Sequence, residues 1–258
     1  MTLKLTHIYR YPVKGLSPEP LTATNLAPGA GLEHDRRFAI AHGTTDFDPA
    51  APQWLSKTHF LTLMRNAGLA RLDTRFDPET GVLTLNQNDR EVAQGDLATI
   101  EGRREIESFF VTIMGDEIEG PPRILEAPGH MFSDTPPKVV SIISLASLRD
   151  LENALGAPAD HRRFRANLYF DGGAPWRELG WLDKKIIMGG TRLKVTARTA
   201  RCAATNVNPD TALRDLNIPK SLVKKFGHVD MGIYAEILEG GVIHPGDEIS
   251  VLDIDTPE

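Results

Sequence analysis

The sequence predicts a mainly β (α+β) fold in two units, and three observations carry that prediction. The chain has 258 residues, 41% of them hydrophobic, which is enough to bury a sizeable core and long enough for two domains. Its 22 Gly and 18 Pro cut it into short segments, which suits strands and barrels better than long helical bundles. Short alternating or apolar runs bounded by turn formers recur along its length, while runs of helical spacing are few.

Residues 3–11 alternate and are predicted as a strand, stopped by Pro12, which has no N–H to give a ladder. A second run at 21–26 is followed by the turn Pro28-Gly29-Ala30-Gly31 and a short strand at 37–41. Strands at 69–76 and 82–86 are joined by Asp77-Pro78-Glu79-Thr80-Gly81, a connection rich in turn formers. Residues 104–113 have helical spacing and are the one helix expected in this half. Gly120-Pro121-Pro122 is the strongest break, so the expected domains are 1–119 and 120–258.

Beyond the break, 139–143 is an apolar strand, and Ser144 is placed to cap a helix carrying Leu145, Leu148, Leu151 and Leu155, with Gly156 as its stop. Strands are predicted at 163–170, 185–188, 192–197, 231–238 and 248–252, with short helices at 211–216 and 220–226.

The formal net charge is -6 and no run of like charges stands out, so a nucleic-acid partner is not expected. The opening Met-Thr-Leu-Lys-Leu-Thr-His is unlike a signal peptide, and no stretch reaches the roughly 20 apolar residues of a membrane helix, so a cytoplasmic protein without a membrane partner is expected. One cysteine allows neither an internal disulfide nor an all-cysteine iron–sulfur cluster. Nucleophile-elbow, phosphate-loop and His-Glu-x-x-His signatures are missing, and the eight histidines are scattered, which argues against a kinase, a Rossmann dehydrogenase or a zinc hydrolase.

Three features carry chemistry. Cys202 follows a predicted strand, is flanked by Arg198 and Arg201, and precedes the turn-prone Asn208-Pro209-Asp210. Nearby cations favour the thiolate, which can bind a soft metal or carry a persulfide. In Arg163-Phe164-Arg165-Ala166-Asn167-Leu168-Tyr169-Phe170, period-2 alternation would set Arg163, Arg165, Asn167 and Tyr169 on one face, a platform suited to phosphate. Tyr11-Pro12-Val13-Lys14-Gly15 and Asp35-Arg36-Arg37-Phe38 each put a cation where a strand meets a turn.

The ordered set of motifs resembles a known family over nearly the whole chain. Tyr11-Pro12-Val13-Lys14-Gly15 and Gly31-x-x-x-Asp35-Arg36-Arg37-Phe38 are similar to the N-terminal β-barrel domain that precedes MOSC domains. Asp134-Thr135-x-Pro137, Arg163-Phe164-Arg165-x-Asn167, Arg201-Cys202-x-x-Thr205-x-Val207-x-Pro209-Asp210-Thr211 and the stretch from Gly232-Ile233-Tyr234 to Pro245-Gly246-Asp247-Glu248 are similar to the MOSC domain itself. That family includes the mitochondrial amidoxime-reducing components and related bacterial molybdenum reductases.

The resemblance implies an N-terminal β-barrel-like domain followed by a MOSC β-barrel with a few short helices. It implies a molybdenum cofactor (Mo-molybdopterin) between them, with Cys202 as the metal ligand and Lys14, Arg36, Asp134, Thr135, Arg165, Asn167, Arg201 and Tyr234 as cofactor-binding candidates. Asp134 is also the candidate catalytic acid beside Cys202, by position. The implied activity is reduction of small N-hydroxylated compounds (hydroxylamines, amidoximes, N-hydroxylated bases). Some relatives carry a ferredoxin domain with a cysteine-ligated cluster and this chain ends at Glu258 without one, so electrons are expected from a separate flavin or iron–sulfur protein. The alternatives are a sulfur carrier or cofactor-handling protein with a persulfide on Cys202, and a non-catalytic barrel that binds small anions.

Overall fold

The computed structural model describes residues 2–252. Alternation in the first strand decides where the chain begins: Leu3, Leu5 and Ile8 are buried while Lys4 is exposed. This strand, β1 (Leu3–Arg10), is a stave of a barrel built mostly from the second half of the chain. The first half continues with β2 (Val13–Lys14), β3 (Glu19–Leu21), β4 (Thr24–Leu26), β5 (Phe38–Ala41), β6 (Asp73–Phe76), β7 (Val82–Gln87), β8 (Arg90–Asp96), α1 (Ile100–Met114) and β9 (Arg123–Leu125). The second half contains β10 (Val140–Ser144), α2 (Leu145–Leu155), β11 (Leu168–Asp171), β12 (Lys185–Met188), β13 (Thr191–Ala200), α3 (Ile218–Phe226), β14 (Asp230–Glu239), β15 (Gly241–Ile243) and β16 (Glu248–Leu252).

Seven strands in the order β11-β10-β14-β13-β12-β16-β1 close on themselves through a β1–β11 pairing, with β3 appended to β1. Only β10 and β11 run parallel within this barrel, and α2 is the crossover that such a pair needs. Leu5, Ile142, Leu168, Phe170, Val195 and Ile233 fill its interior. The first half forms small sheets β2-β5-β9 and β6-β7-β8 around a second core that includes Phe38, Leu61, Leu83, Ile106 and Phe110. Where β8 meets α1, Gly95 and Gly102 face each other: a Cβ on Gly95 would stand 2.1 Å from the Gly102 carbonyl oxygen, so the crossing depends on both lacking one.

The mainly β architecture matches expectation, as does the capping of α2, where Ser144 Oγ accepts from Ser147 N (3.4 Å) and Gly156 ends the helix at φ 69°. Local expectations fail at several points, first at 69–76, where Ala67–Arg71 is a 3-10 turn and the strand begins only at Asp73. Residues 163–170 do not form one strand. Asp160 Oδ1 accepts from Arg162 N (2.7 Å) and caps a 3-10 turn, His161–Phe164, Arg165 then takes the left-handed conformation (φ 53°), and pairing begins only at Leu168. The arginines, Asn167 and Tyr169 therefore share no strand face. Residues 211–216 are not helical, because Asn208 Oδ1 accepts from the amides of Asp210 and Thr211, Ala212 sits at φ 58°, and Val207 bridges Arg214. Strand β8 escaped notice because its outward residues Arg90, Glu91 and Val92 are exposed and leave no alternating apolar signal.

Among the described residues no helix is long and apolar enough to cross a membrane. One buried carboxyl makes a pH prediction. Glu178 is fully buried, and burial pushes its carboxyl above the ordinary glutamate range, against the hydrogen bonds from Ser147 Oγ (2.8 and 2.9 Å). A carboxyl raised in the folded state contributes stability below its unfolded pKa and loses it as pH rises through the folded one. Glu178→Gln keeps the shape without the charge, so its melting temperature should gain on wild type as the pH goes from 4.5 to 8, a trend that thermal melts at several pH values will measure.

A cationic cavity around Cys202

Cys202 follows β13 and opens a 3-10 turn, Ala203–Asn206, with its carbonyl accepting from Thr205 N (3.1 Å) and Thr205 Oγ1 (2.9 Å). The thiol-bearing residue is partly exposed and lines a cavity of about 430 Å³, a size typical of cofactor sites. All nine sequence-predicted site residues line that same cavity: Lys14, Arg36, Asp134, Thr135, Arg165, Asn167, Arg201, Cys202 and Tyr234. Seven cationic side chains and a single carboxylate, Asp134, line it in a chain whose net charge is -6, so the cavity is built for an anion.

Tyr11 organises the positive end. Two guanidiniums lie over its buried ring, Arg36 at 4.7 Å and Arg165 at 4.4 Å from the ring centre. Both arginines have left-handed backbones, φ 49° and 53°, fixed by Arg36 N donating to Tyr11 O (2.7 Å) and Arg165 N donating to Arg162 O (3.1 Å). Such conformations on bulky residues cost energy and collect at functional sites. Arg36 is anchored by Asp35, which also accepts from Tyr11 N (2.8 Å), and it donates to Arg165 O (2.8 Å). Arg165 donates to Leu16 O (2.5 Å) and lines the cavity, with donors of its fork to spare. Burial lowers its pKa to about 10, with Arg36 adding to the fall, so it is charged at neutral pH.

Lys14 ends β2 and is buried. Its Nζ donates to Phe132 O (3.0 Å) and Asp134 Oδ1 (2.5 Å). Burial pulls the ammonium below its ordinary range against the support of Asp134. Burial alone would raise Asp134, but Lys14, with Lys57 and Arg36, outweighs it and holds the carboxyl below the carboxylate range. The Asp134 side chain is 48% exposed, opening on the cavity between walls of protein, so the pairing with Lys14 is the interaction that counts. Asp134 is thereby held in its carboxylate form, as the counter-charge of Lys14.

The other residues serve differently. Arg201 spends its guanidinium on Met231 O (2.8 and 2.5 Å) and Phe164 O (2.8 Å), pinning the Cys202 strand end to β14 and the 161–164 turn. Asn167 Oδ1 accepts from Ser141 N (3.1 Å) and Ser141 Oγ (2.9 Å), and its amide donates to Tyr9 O (3.3 Å), so it fixes the loop that carries Arg165. Thr135 gives its carbonyl to Ser133 Oγ. The Tyr234 hydroxyl has no hydrogen-bond partner among the described residues and faces the cavity from β14. Sequence reasoning missed Lys57 and Thr62, which line the cavity from a loop of the first half with no motif to flag it.

Family profiles cover the chain in two consecutive pieces: the MOSC N-terminal beta barrel domain matches residues 2–129 and the MOSC domain matches residues 129–250. The chain belongs to the MOSC family. Mouse mitochondrial amidoxime-reducing component 1 is 29% identical to it over 133 residues, 47% of this chain and 38% of that protein. Zebrafish molybdenum cofactor sulfurase is 22% identical over 267 residues, 89% of this chain and 31% of that protein. This MOSC protein thus spans well under half the length of these curated relatives. A crystal structure of the YUAD protein from Bacillus subtilis aligns with 97% of the chain and 96% of its own, at 14% identity and a TM-score of 0.46.

The residues of this MOSC protein fit a molybdenum cofactor. Among the described residues no three His, Cys, Asp or Glu side chains gather to hold a metal, and Cys202 is the thiol in the cavity, with the thioethers of Met64 and Met131 also in its lining. A metal on Cys202 can take its other ligands from an organic group, and Lys14, Arg36 and Arg165 suit a phosphate on that group.

Proposed function

We propose that the protein is a molybdenum-cofactor-dependent oxidoreductase that reduces small N-hydroxylated compounds, using electrons from a separate donor protein. The observation that carries the reading is one thiol in a cavity ringed by cations, in a chain of the MOSC family. In this reading the cofactor lies where the two units, 1–119 and 120–258, meet. When bound, it would supply two-electron redox chemistry to an N–O bond, and the overall reduction consumes two electrons and two protons and releases water.

The chain's own residues bind and orient. Cys202 would donate its thiolate to the metal, and the turn that Thr205 stabilises sets the direction of that sulfur. Lys14, Arg36 and Arg165 would hold the phosphate dianion, with Asp134 keeping Lys14 charged despite its burial. Tyr11 stiffens both guanidiniums, so little order is lost on binding. The test is reduction of hydroxylamine and an aryl amidoxime by holoprotein with reduced methyl viologen as electron source. Turnover that tracks molybdenum content supports the reading, and a molybdenum-loaded protein that leaves both compounds unreduced rejects it.

The match to a molybdenum cofactor sulfurase over 89% of the chain favours one second reading, a sulfur carrier with a persulfide on Cys202. That reading predicts cyanide-labile sulfur on metal-free protein.

A further inference from the structure

Folded proteins leave few buried polar atoms without partners, because such an atom loses its water and gains nothing. Among the described residues, Thr62 Oγ1, Arg163 Nε and Thr199 Oγ1 are buried and have no hydrogen-bond partner. These residues are 7%, 4% and 3% exposed, and all three line the cavity around Cys202. Buried groups away from the cavity are satisfied, as Asn66, Ser147, Glu178 and Thr191 show, and within it Ser141 and Thr205 also have partners. His42 Nε2 is also without a partner, in a ring that accepts from Glu119 N through Nδ1 and does not line the cavity.

The three atoms come from separate segments of the lining. A Cβ built on Gly15, next to Lys14, would come 3.4 Å from Thr62 Cα, so Thr62 belongs to the Lys14 side. Arg163 belongs to the Cys202 side, where Nη1 donates to Asn206 O (3.1 Å) in the turn after Cys202 and Nη2 pairs with Asp215 (2.7 Å). Thr199 stands three residues ahead of Cys202 on β13.

We infer that Thr62, Arg163 and Thr199 are further binding residues of this cavity, which hydrogen-bond the polar ring system of the cofactor. The inference rests on the molybdenum reading above and deepens it. An N–H at Arg163 Nε can only donate, so it requires an acceptor, whereas the two hydroxyls donate or accept. A heterocycle with ring nitrogens and a carbonyl, as a pterin has, offers both kinds. An apolar ligand would leave all three atoms unsatisfied.

The experiment compares wild type with Thr62→Val and Thr199→Val, which delete a hydroxyl from a side chain of the same shape, and with Thr62→Ser and Thr199→Ser, which keep it. Cofactor-loaded proteins are incubated with excess wild-type apoprotein as a trap, and the pterin left on each is followed by fluorescence after oxidation, a readout independent of activity. Each Val variant should lose pterin about tenfold faster than wild type, the value of one hydrogen bond, and each Ser variant should stay near wild type. The Val apoproteins should melt at or above the wild-type temperature, since an unsatisfied group has gone. Val variants that retain pterin as long as wild type overturn the inference and leave the molybdenum reading standing. Val apoproteins that melt well below wild type also overturn it, because the hydroxyls then have partners within the fold. Wild type that carries neither molybdenum nor pterin overturns both.

Discussion

Cys202→Ala should leave a folded protein whose molybdenum affinity falls by about a hundredfold or more, with N-hydroxyl reduction lost in step. Even the outer partners of a metal ligand are worth about 10–100-fold, and here the ligand itself is removed with no side chain to replace it. The fold should survive, because Cys202 is partly exposed at a turn held by its own carbonyl and Thr205, neither of which the substitution touches. Metal analysis beside a thermal melt measures both halves of this expectation. A Cys202→Ala protein with full metal and full activity would remove the thiol from the chemistry.

The second large effect is expected at Arg165. Arg165→Ala takes away a guanidinium that lines the cavity and has spent one donor on Leu16 O. Losing one partner of a buried charge-assisted contact costs about 2–5 kcal/mol, so affinity for molybdopterin should fall by about thirtyfold to several thousandfold. Arg165→Lys should recover only part of the loss, because an ammonium cannot present the planar fork. The backbone anchor is kept, since Arg36 donates to the carbonyl of residue 165 and not to its side chain. Titrating apoprotein with molybdopterin by fluorescence gives the dissociation constants. A variant that binds as tightly as wild type would place the phosphate elsewhere.

How much was legible in the sequence depends on what kind of signal each residue leaves. Strands β12 and β16 were predicted to the residue, because apolar runs between turn formers have few other solutions. The cap and stop of α2 were readable because Ser and Gly there do local work that needs no tertiary partner. One of the two grounds for Arg165, the strand face suggested by alternation, proved false, since Asp160 caps a turn and Arg165 itself is αL; the other ground was the family resemblance. Side-chain capping competed with period-2 patterning and won. The stacking of Arg36 and Arg165 on Tyr11 joins residues 154 positions apart, and no local pattern encodes it. The same holds for Thr62 and Thr199, whose part in the site shows only as hydrogen bonds that are missing.

The central claim is a cofactor held by sulfur at one end and by cations at the other, and its most direct test is to count molybdenum and pterin on protein purified from a host that makes the cofactor. The account predicts both in near one-to-one ratio with the chain. Protein free of metal and pterin, with cyanide-labile sulfur on Cys202, would contradict it.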